Sequence, residues 1–225
     1  MIITQDIFSM YSRIVCITLS KRPERWTHFL DGLPDCLKGK IEKYSGTDGT
    51  KFSLPAWWKG HHGSYGCYLA HRRLLEECLS AGTENLLVFQ DDAEFCEDFL
   101  ARAETFHAHL PHDAEWIFYG GQHLYKDRHA PQPLNAHVYI PYNVNRLHAF
   151  ALFGHRIMKL LHRYMSEPNW SGYFNTDHRW GDLQMARCAK IYCPARWMVY
   201  QRKEYSDLEL CIKNHPCWTD ACDIS

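Results

Sequence analysis

The chain has 225 residues, 46% of them hydrophobic and 23% charged, and its 25 basic and 26 acidic residues give a formal charge of −1. This length and composition fit one globular domain and exclude a globally disordered chain. No apolar run reaches the roughly 18 residues of a membrane-spanning helix, and the near-neutral charge argues against a generally basic nucleic-acid-binding protein.

Short apolar runs alternate with amphipathic segments, and this alternation predicts an α/β layered fold. The run 86–89 is wholly apolar and is expected to form a central strand. Gly120-Gly121 predict the end of the strand that begins at Trp116. The polar stretch 122–135 contains two prolines and predicts a long functional loop. Strands are predicted at 13–19, 41–44, 86–89, 116–119, 138–140, 149–153 and 197–200, and helices at 26–33, 67–80, 97–110, 156–165 and 178–188.

Two adjacent carboxylates, Asp91 and Asp92, directly follow the predicted central strand. In open α/β sheets, ligands bind at the carboxyl ends of the strands. Adjacent carboxylates repel each other, and Mg²⁺ or Mn²⁺ supplies both the countercharge and a preference for oxygen ligands. In an extended strand the two side chains face opposite sides, so Asp92 is predicted to be the main metal ligand. Asp91 would bind sugar or ribose hydroxyls or assist at the metal, and a solvated turn is the alternative for the pair.

Three segments, taken in order, carry a family resemblance. Residues 17–25 read Ile-Thr-Leu-Ser-Lys-Arg-Pro-Glu-Arg, residues 66–71 read Gly-Cys-Tyr-Leu-Ala-His, and residues 87–95 contain Gln-Asp-Asp. They resemble the Asn-Leu-x-Arg-Arg-Pro-x-Arg, Gly-Cys-x-x-Ser-His and Glu-Asp-Asp segments of glycosyltransferase family 25, which includes lipooligosaccharide sugar transferases and collagen galactosyltransferases. The resemblance covers about 13–120 and extends more loosely over 145–207.

The resemblance implies a single GT-A (Rossmann-like) domain with a mixed central sheet flanked by helices. It also implies a UDP-sugar donor, Mn²⁺ or Mg²⁺, and inversion at the anomeric carbon of the transferred hexose. The nucleotide-sugar half would lie at about 1–120 and the acceptor half at about 121–225. This sequence departs from the family at Thr18 (usually Asn), Ala70 (usually Ser) and Gln90 (usually Glu), and Gln90 removes a carboxylate near the metal.

Several loop residues are predicted to contact the donor. Arg22 and Arg25 could pair with a diphosphate, a helix N-terminus near Ser64 could hold an anion, and Asp48 could accept from uracil or ribose. Each has a structural alternative: solvated charges for the arginines, helix capping for Ser64, an Asp-Gly turn for Asp48 and core packing for His71. The complete set of donor-site candidates is Thr18, Ser20, Arg22, Arg25, Asp48, Ser64, Gly66, His71 and Asp91.

Inverting transfer needs a carboxylate that takes the proton of the acceptor hydroxyl. Asp177 and Asp182 are the candidates for this catalytic base, with helix capping as the alternative for Asp177. A third metal ligand is expected from the C-terminal side. Gln201 is the candidate, with Asp207 and His215 as alternatives.

The acceptor hydroxyl could belong to more than one kind of molecule. The resemblance implies a surface glycan such as a lipooligosaccharide, or hydroxylysine in a collagen-like chain. A hydroxymethylated DNA base is the alternative, because small viral glycosyltransferases modify such bases and local basic clusters could contact phosphates. Those clusters are Arg72-Arg73, Lys126/Arg128 and Arg202-Lys203. Aromatic rings in loop-like or polar contexts could stack on sugar rings or bases or belong to the core, and segment 170–174 is the candidate acceptor wall. The aromatic candidates are Trp57, Trp58, Trp170, Tyr173, Phe174 and Trp180.

A function of a different class is non-catalytic binding by a nucleotide-sugar fold. Gln90 favours it, because the loss of a carboxylate can disable a metal site. A nucleotidyltransferase would show a glycine-rich phosphate loop near the N-terminus, and the sequence shows none there. The N-terminal residues lack a basic segment followed by an apolar one, so a cytoplasmic location is expected. The sequence makes no prediction of oligomeric state.

Overall fold

A mixed sheet with helices on both faces forms the centre of the computed structural model, which describes residues 6–167, 170, 173, 175–202, 205–206 and 211–212. The α-helices are α1 (Pro23–Asp31), α2 (His62–Ala81), α3 (Phe99–His109), α4 (His155–Ser166) and α5 (Thr176–Met185). None of these helices is long and apolar enough to cross a membrane. The strands are β1 (Arg13–Thr18), β2 (Glu42–Ser45), β3 (Asn85–Gln90), β4 (Ala93–Phe95), β5 (Trp116–His123), β6 (Gln132–Pro133), β7 (Val138–Ile140), β8 (Val144–Phe153), β9 (Ile191–Pro194), β10 (Val199–Gln201), β11 (Tyr205–Ser206) and β12 (Cys211–Ile212).

The main sheet has eight strands in the order β2-β1-β3-β8-β5-β9-β7-β6. β1 pairs in parallel with β2 and β3, and β5 pairs in parallel with β9. β8 runs antiparallel to both β3 and β5 and separates the two parallel groups. The predicted α/β fold with a mixed central sheet is confirmed, and β3 lies inside the sheet as expected. The carboxyl ends of β1, β2 and β3 share one edge, which is where ligands bind in such sheets.

Each face of the sheet carries one hydrophobic core. Leu86 and Val88 of β3 belong to the core formed with α2, α4 and α5. Leu87 and Phe89 belong to the core formed with α1 and α3. Successive strand residues point to opposite faces, so a strand covered on both faces needs apolar residues at every position. This explains why 86–89 is an unbroken apolar run.

Two predicted boundaries are wrong, because contacts between distant segments decide them. β5 continues through Gly120 and Gly121 to His123 instead of ending at residue 119. A Cβ on Gly120 would lie 2.0 Å from the Val199 carbonyl oxygen, so this glycine permits close backbone approach rather than a turn. α2 begins at His62, earlier than the predicted start at residue 67.

Other elements differ in length or were not predicted at all. β8 begins at Val144 rather than at residue 149, and β4 and β9 have no counterpart among the predicted strands. The predicted loop 122–135 contains the end of β5 and the short strand β6.

Three of the four tryptophans among the aromatic candidates are core residues. Trp58, Trp170 and Trp180 are at most 5% exposed, whereas Trp57 is 36% exposed and packs edge-on against Trp58. Arg179 is itself buried and its guanidinium carbon lies 4.4 Å from the centroid of the Trp170 ring. The core alternative is therefore confirmed for the three buried tryptophans, and Trp57 alone of the four tryptophans offers a ring to solvent. Phe174 lies outside the described residues.

A half-buried histidine predicts acid sensitivity of the fold. His107 Nε2 lies 2.5 Å from the Tyr119 hydroxyl, and burial lowers the pKa of His107 to about 4. In the unfolded chain His107 has the ordinary histidine pKa of about 6.5. Between about pH 6.5 and pH 4 the unfolded state therefore binds a proton at His107 that the folded state does not. The stability that the neutral His107 contributes is present above about pH 6.5 and is lost towards pH 4, by at most about 3 kcal/mol. His107→Gln should reduce this loss in urea unfolding at pH 7 and pH 4.5.

The exposed His112→Gln variant is the control for that measurement. It should show the same pH dependence of the unfolding free energy as the wild-type protein. An unchanged pH dependence in His107→Gln would contradict the assignment of acid sensitivity to His107.

Candidate functional site

A cleft lies beyond the carboxyl end of β3, between the N-terminal parts of α2 and α5. Its walls come from α2, β3, β8, α5 and β10, which are far apart in the sequence. Two larger cavities, of about 390 and 500 Å³, hold none of the predicted site residues. The cleft is lined by Ser64, Cys67, Gln90, Arg146, Leu147, Asn175, Thr176, Asp177 and Gln201.

Asp91 lies in the turn after β3 and holds α1 against the sheet. Its Oδ1 is 3.4 Å from Nη1 of Arg25, and both side chains are largely buried. Its N–H donates to the Ile17 carbonyl at 3.2 Å, which places it beside Thr18 at the end of β1. Burial raises the pKa of Asp91 to about 6, the neighbouring Asp92 adds to the rise, and Arg25 opposes it. The Arg25 charge is thus compensated within the protein, and Thr18 is only 2% exposed.

Asp92 faces away from Asp91, towards β10. Gln201 Nε2 donates to Asp92 Oδ2 at 2.5 Å, and the Arg202 N–H donates to the Asp92 carbonyl at 2.6 Å. The two carboxylates lie in a turn rather than in an extended strand, and their side chains contact different partners. Each carboxylate therefore has its own partner, and the two do not converge on one point.

Two contacting side chains, Asp92 and Gln201, each have a buried oxygen without a partner. Asp92 Oδ1 and Gln201 Oε1 accept no hydrogen bond within the part of the chain that the structure describes. A buried acceptor left unsatisfied is costly, and carboxylate and carbonyl oxygens are the ligands that Mg²⁺ and Mn²⁺ prefer. No group of three or more His, Cys, Asp or Glu side chains that could hold a metal occurs among the described residues. The pair fits a divalent ion that takes its remaining ligands from phosphate and water, as Mg²⁺ commonly does.

The loops after β1 and β2 place three of the predicted donor residues. Ser20 is exposed and Arg22 is partly exposed. Asp48 accepts from the N–H and the hydroxyl of Thr50 at 3.2 and 2.8 Å and from Lys21 Nζ at 3.0 Å. Local hydrogen bonding accounts for Asp48, as its structural alternative states. Ser20 and Arg22 stay predicted donor contacts.

Ser64 and Gly66 lie inside α2, because the helix begins at His62. The Ser64 hydroxyl donates to the His61 carbonyl at 2.8 Å, so the capping alternative for Ser64 is wrong. A Cβ on Gly66 would lie 2.3 Å from the Thr47 carbonyl oxygen, so this glycine lets the loop after β2 touch the helix. Gly66 also lies beyond the free N–H groups of the helix start, so the position does not favour an anion contact through its backbone, and its donor contact stays a prediction.

His71 lies in the core beneath the cleft. It is 1% exposed, its Nδ1 is 2.9 Å from the Cys67 carbonyl oxygen, and its ring packs between Phe150 and Trp180. Burial lowers its pKa, so the ring is neutral at pH 7. This placement favours the core alternative for His71 over a donor contact. Burial also raises the pKa of the Cys67 thiol to about 12, so the cleft holds no thiolate there.

The two candidates for the catalytic base lie on different faces of α5. Asp177 lines the cleft, and its Oδ2 accepts from the Arg146 N–H at 3.1 Å. The N-cap residue of α5 is Asn175, so the capping alternative for Asp177 is wrong. Asp182 lies five residues on, about 140° around the helix, and accepts from the hydroxyls of Tyr164 and Tyr173. Only Asp177 is presented to the cleft.

Residues 61–177, which are 117 of the 225, match the profile of glycosyltransferase family 25, described as an LPS biosynthesis protein. The chain belongs to glycosyltransferase family 25. A curated mouse relative, inactive glycosyltransferase 25 family member 3, is 29% identical to it. That match covers 42% of this chain and 19% of the relative, so the chain spans about a fifth of the relative's length.

Three solved structures are similar at low identity. A glycosyltransferase involved in glycosylation of the major capsid of PBCV-1 has a TM-score of 0.48 at 9% identity, over 80% of this chain and 79% of that one. A197 from STIV has a TM-score of 0.43 at 12% identity, over 90% and 95%. Mouse xyloside xylosyltransferase 1 has a TM-score of 0.43 at 12% identity, over 79% and 70%. All three scores are below 0.5, so these likenesses decide no feature of this chain.

The family match covers the middle of the site and not its edges. It begins where α2 begins, includes Asp92 and Arg146, and ends at Asp177. β1 and Gln201 lie outside it. Sequence reasoning missed Arg146, because its strand was predicted to start only at residue 149. An Asn-Arg pair before an apolar run carries no signal that would have singled it out.

Proposed function

We propose that this family 25 chain transfers a hexose from a UDP-sugar to an acceptor hydroxyl with inversion at the anomeric carbon. The observation that carries the proposal is the meeting of Gln201, which binds Asp92, with Asp177 at one cleft beyond β3. The side-chain oxygens of Asp92 and Gln201 on one wall suit binding of the donor with its metal ion. The Asp177 carboxylate on the other wall suits removal of the proton from the acceptor hydroxyl.

The proposal includes a divalent ion, Mn²⁺ or Mg²⁺, beside the donor diphosphate. Asp92 Oδ1 and Gln201 Oε1 would hold it, because both are buried oxygens without a hydrogen-bond partner among the described residues and their side chains contact each other. When bound, the ion would neutralise charge on the leaving diphosphate. Asp91 has a different task, since it is engaged with Arg25 and holds α1 in place.

The chain's own chemistry is a proton transfer at Asp177. The acceptor oxygen forms a bond to the anomeric carbon while the bond from that carbon to the diphosphate oxygen breaks, and the electron pair leaves with UDP. The Asp177 carboxylate takes the acceptor proton. The hydrogen bond from the Arg146 N–H holds the carboxylate in place during this transfer.

A surface glycan is the proposed acceptor, with a hydroxymethylated DNA base as the alternative. One basic cluster that favours DNA is engaged within the protein, because Arg73 donates to the Tyr44 hydroxyl at 2.9 Å and to the Ser45 carbonyl. Trp57, 36% exposed, offers a ring on which a sugar could stack. A transfer assay that offers both core oligosaccharides and DNA with hydroxymethylated bases distinguishes the two acceptors. The measured quantity is the amount of sugar transferred to each.

Non-catalytic nucleotide-sugar binding is the second candidate function. Two observations favour it: Gln90 lines the cleft where the family carries a glutamate, and the curated mouse relative is named inactive. A binding protein would retain UDP-sugar affinity without releasing UDP. Measuring UDP release with and without acceptor separates this candidate from the transferase.

Donor binding predicts metal-dependent thermal stabilisation. A ligand at about 100 times its Kd raises the free energy of unfolding by about 2.7 kcal/mol. One UDP-sugar with Mn²⁺ should therefore raise the Tm, and EDTA or Asp92→Asn should abolish the rise. The exposed Glu94→Gln variant, two residues along, is the matched control and should keep it.

The outcomes of the thermal measurement separate the parts of the proposal. No shift with any UDP-sugar, with or without metal, would remove the donor site altogether. A full shift that survives both EDTA and Asp92→Asn would remove the metal and keep the donor. If Glu94→Gln also loses the rise in Tm, the loss in Asp92→Asn reflects removal of negative charge from this segment rather than removal of a metal ligand.

A further inference from the structure

Arg146 has an unusual backbone conformation inside a strand. Its φ is +75°, and it lies within β8. Among the described residues, two other non-glycine residues have positive φ, Tyr125 and Arg187, and both lie outside regular strands and helices. An L-residue in this region is strained, and such strain persists only where the surroundings enforce it, often at functional sites.

Two contacts hold the strained backbone. The Arg146 N–H donates to Asp177 Oδ2 at 3.1 Å and to Asn145 Oδ1 at 3.0 Å. The ladder between β5 and β8 is irregular at the same place, between the pairs Gly120–Ala149 and Gln122–Asn145. The strand therefore leaves its regular pairing where it meets the first turn of α5. This irregularity brings Arg146 to the wall of the cleft.

The charges around the cleft call for a cation. Asp177 and the Asp92–Gln201 pair bring negative charge to it, and a nucleotide diphosphate would bring more. Arg25, one of the two arginines expected from the sequence to bind the diphosphate, lies against Asp91. Among the described residues that line the cleft, Arg146 is the one Lys or Arg.

We propose that the guanidinium of Arg146 binds the diphosphate of the nucleotide-sugar donor. This inference rests on the proposed function and names the residue that recognises the anion. A guanidinium can donate two parallel hydrogen bonds to phosphate oxygens, which a lysine cannot match. Its Nε already donates to Gln122 Oε1 at 3.4 Å, which limits the directions that the side chain can take. Charge on the departing diphosphate would be stabilised by the same contact.

The test compares binding of UDP and of uridine, which lacks phosphate, by isothermal titration of the full chain. Arg146→Gly and Arg146→Gln should each raise the Kd for UDP roughly tenfold or more, as expected for lost charged hydrogen bonds. The Kd for uridine should stay unchanged. The Kd of Arg146→Lys for UDP should lie between the values for these variants and for the wild-type protein. The Tm of Arg146→Gly should equal or exceed that of the wild-type protein, because glycine removes the strain.

Arg187→Gly is the matched control. Arg187 also has a positive φ, +54°, but it follows α5 and does not line the cleft. This variant should bind UDP as the wild-type protein does. We expect Arg146→Gly, but not Arg187→Gly, to bind UDP more weakly while its Tm is not reduced. A purely structural role of Arg146 would not produce this combination.

Three results would overturn the inference, and they differ in what they leave standing. If Arg146→Gly and Arg146→Gln both bind UDP as the wild-type protein does, Arg146 does not bind the diphosphate, and the proposed function is unaffected. An equal loss of UDP and uridine affinity assigns Arg146 a structural role instead. A wild-type protein that binds neither ligand removes the proposed function and this inference together.

Discussion

Replacing Asp177 with asparagine is expected to lower kcat by about 10²–10⁴-fold, the range that a positioned general base contributes. In the wild-type protein the Arg146 N–H donates to Asp177 Oδ2 at 3.1 Å. Asparagine keeps an oxygen that can accept this hydrogen bond, but it cannot act as a base and take the acceptor proton. The cleft should therefore keep its shape. Steady-state kinetics should show the loss in kcat with little change in KM, and UDP affinity should be that of the wild-type protein.

Asp182→Asn is the comparison that gives this result its meaning. Asp182 is also a carboxylate of α5, but it contacts Tyr164 and Tyr173 rather than the cleft. Its replacement should leave kcat close to the wild-type value. If Asp182→Asn loses activity and Asp177→Asn does not, the base is Asp182 and the assignment from the cleft geometry is wrong.

Gly49→Ala is expected to destabilise the fold by about 3 kcal/mol or more, at the upper end of overpacking effects. A Cβ at this position would lie 1.7 Å from the His62 carbonyl oxygen and 2.8 Å from the Gly66 nitrogen. Both are backbone atoms of α2, so no side chain can rotate away to make room. The loop after β2 would have to separate from the helix that forms one wall of the cleft.

Chemical denaturation of Gly49→Ala and Gly32→Ala measures this effect against a matched control. Gly32 follows α1 with φ −87°, and an added Cβ would come no nearer than 3.7 Å to its neighbours. Gly32→Ala should leave the free energy of unfolding unchanged or raise it by up to about 1 kcal/mol. Equal stabilities of the two variants would mean that the contact between the loop and α2 is not tight in solution.

Elements with a strong local signal were predictable from the sequence. β7 was predicted at its observed bounds, and β1 and β3 differ from prediction by a residue or so at their ends. Their apolar runs and flanking turn residues lie within a few positions of each other. β9 and β4 were missed, because each is short and pairs with a strand distant in sequence, β5 for β9 and β10 for β4. Nothing within such segments marks them as strands before their partners are in place.

The glycines show the same division in another form. Gly82 ends α2 with φ +70°, the left-handed conformation that a helix-terminating glycine commonly adopts. Gly120 was read as a turn but lies inside β5, where the backbone of β10 comes too close for a side chain. A turn and a close approach both require glycine, and only the position of the neighbouring chain tells them apart.

The sequence by itself determined the α/β class, the central strand, the placement of Asp91 and Asp92 beyond it, and the family. These depend on hydrophobic period and on motifs of a few adjacent residues. The tertiary structure decided which carboxylate has which partner: Arg25 for Asp91, Gln201 for Asp92, and the Arg146 N–H for Asp177. Those partners are separated by 31 to 109 positions, so they meet only when the fold brings the end of β3 to α1 and to β10, and β8 to α5.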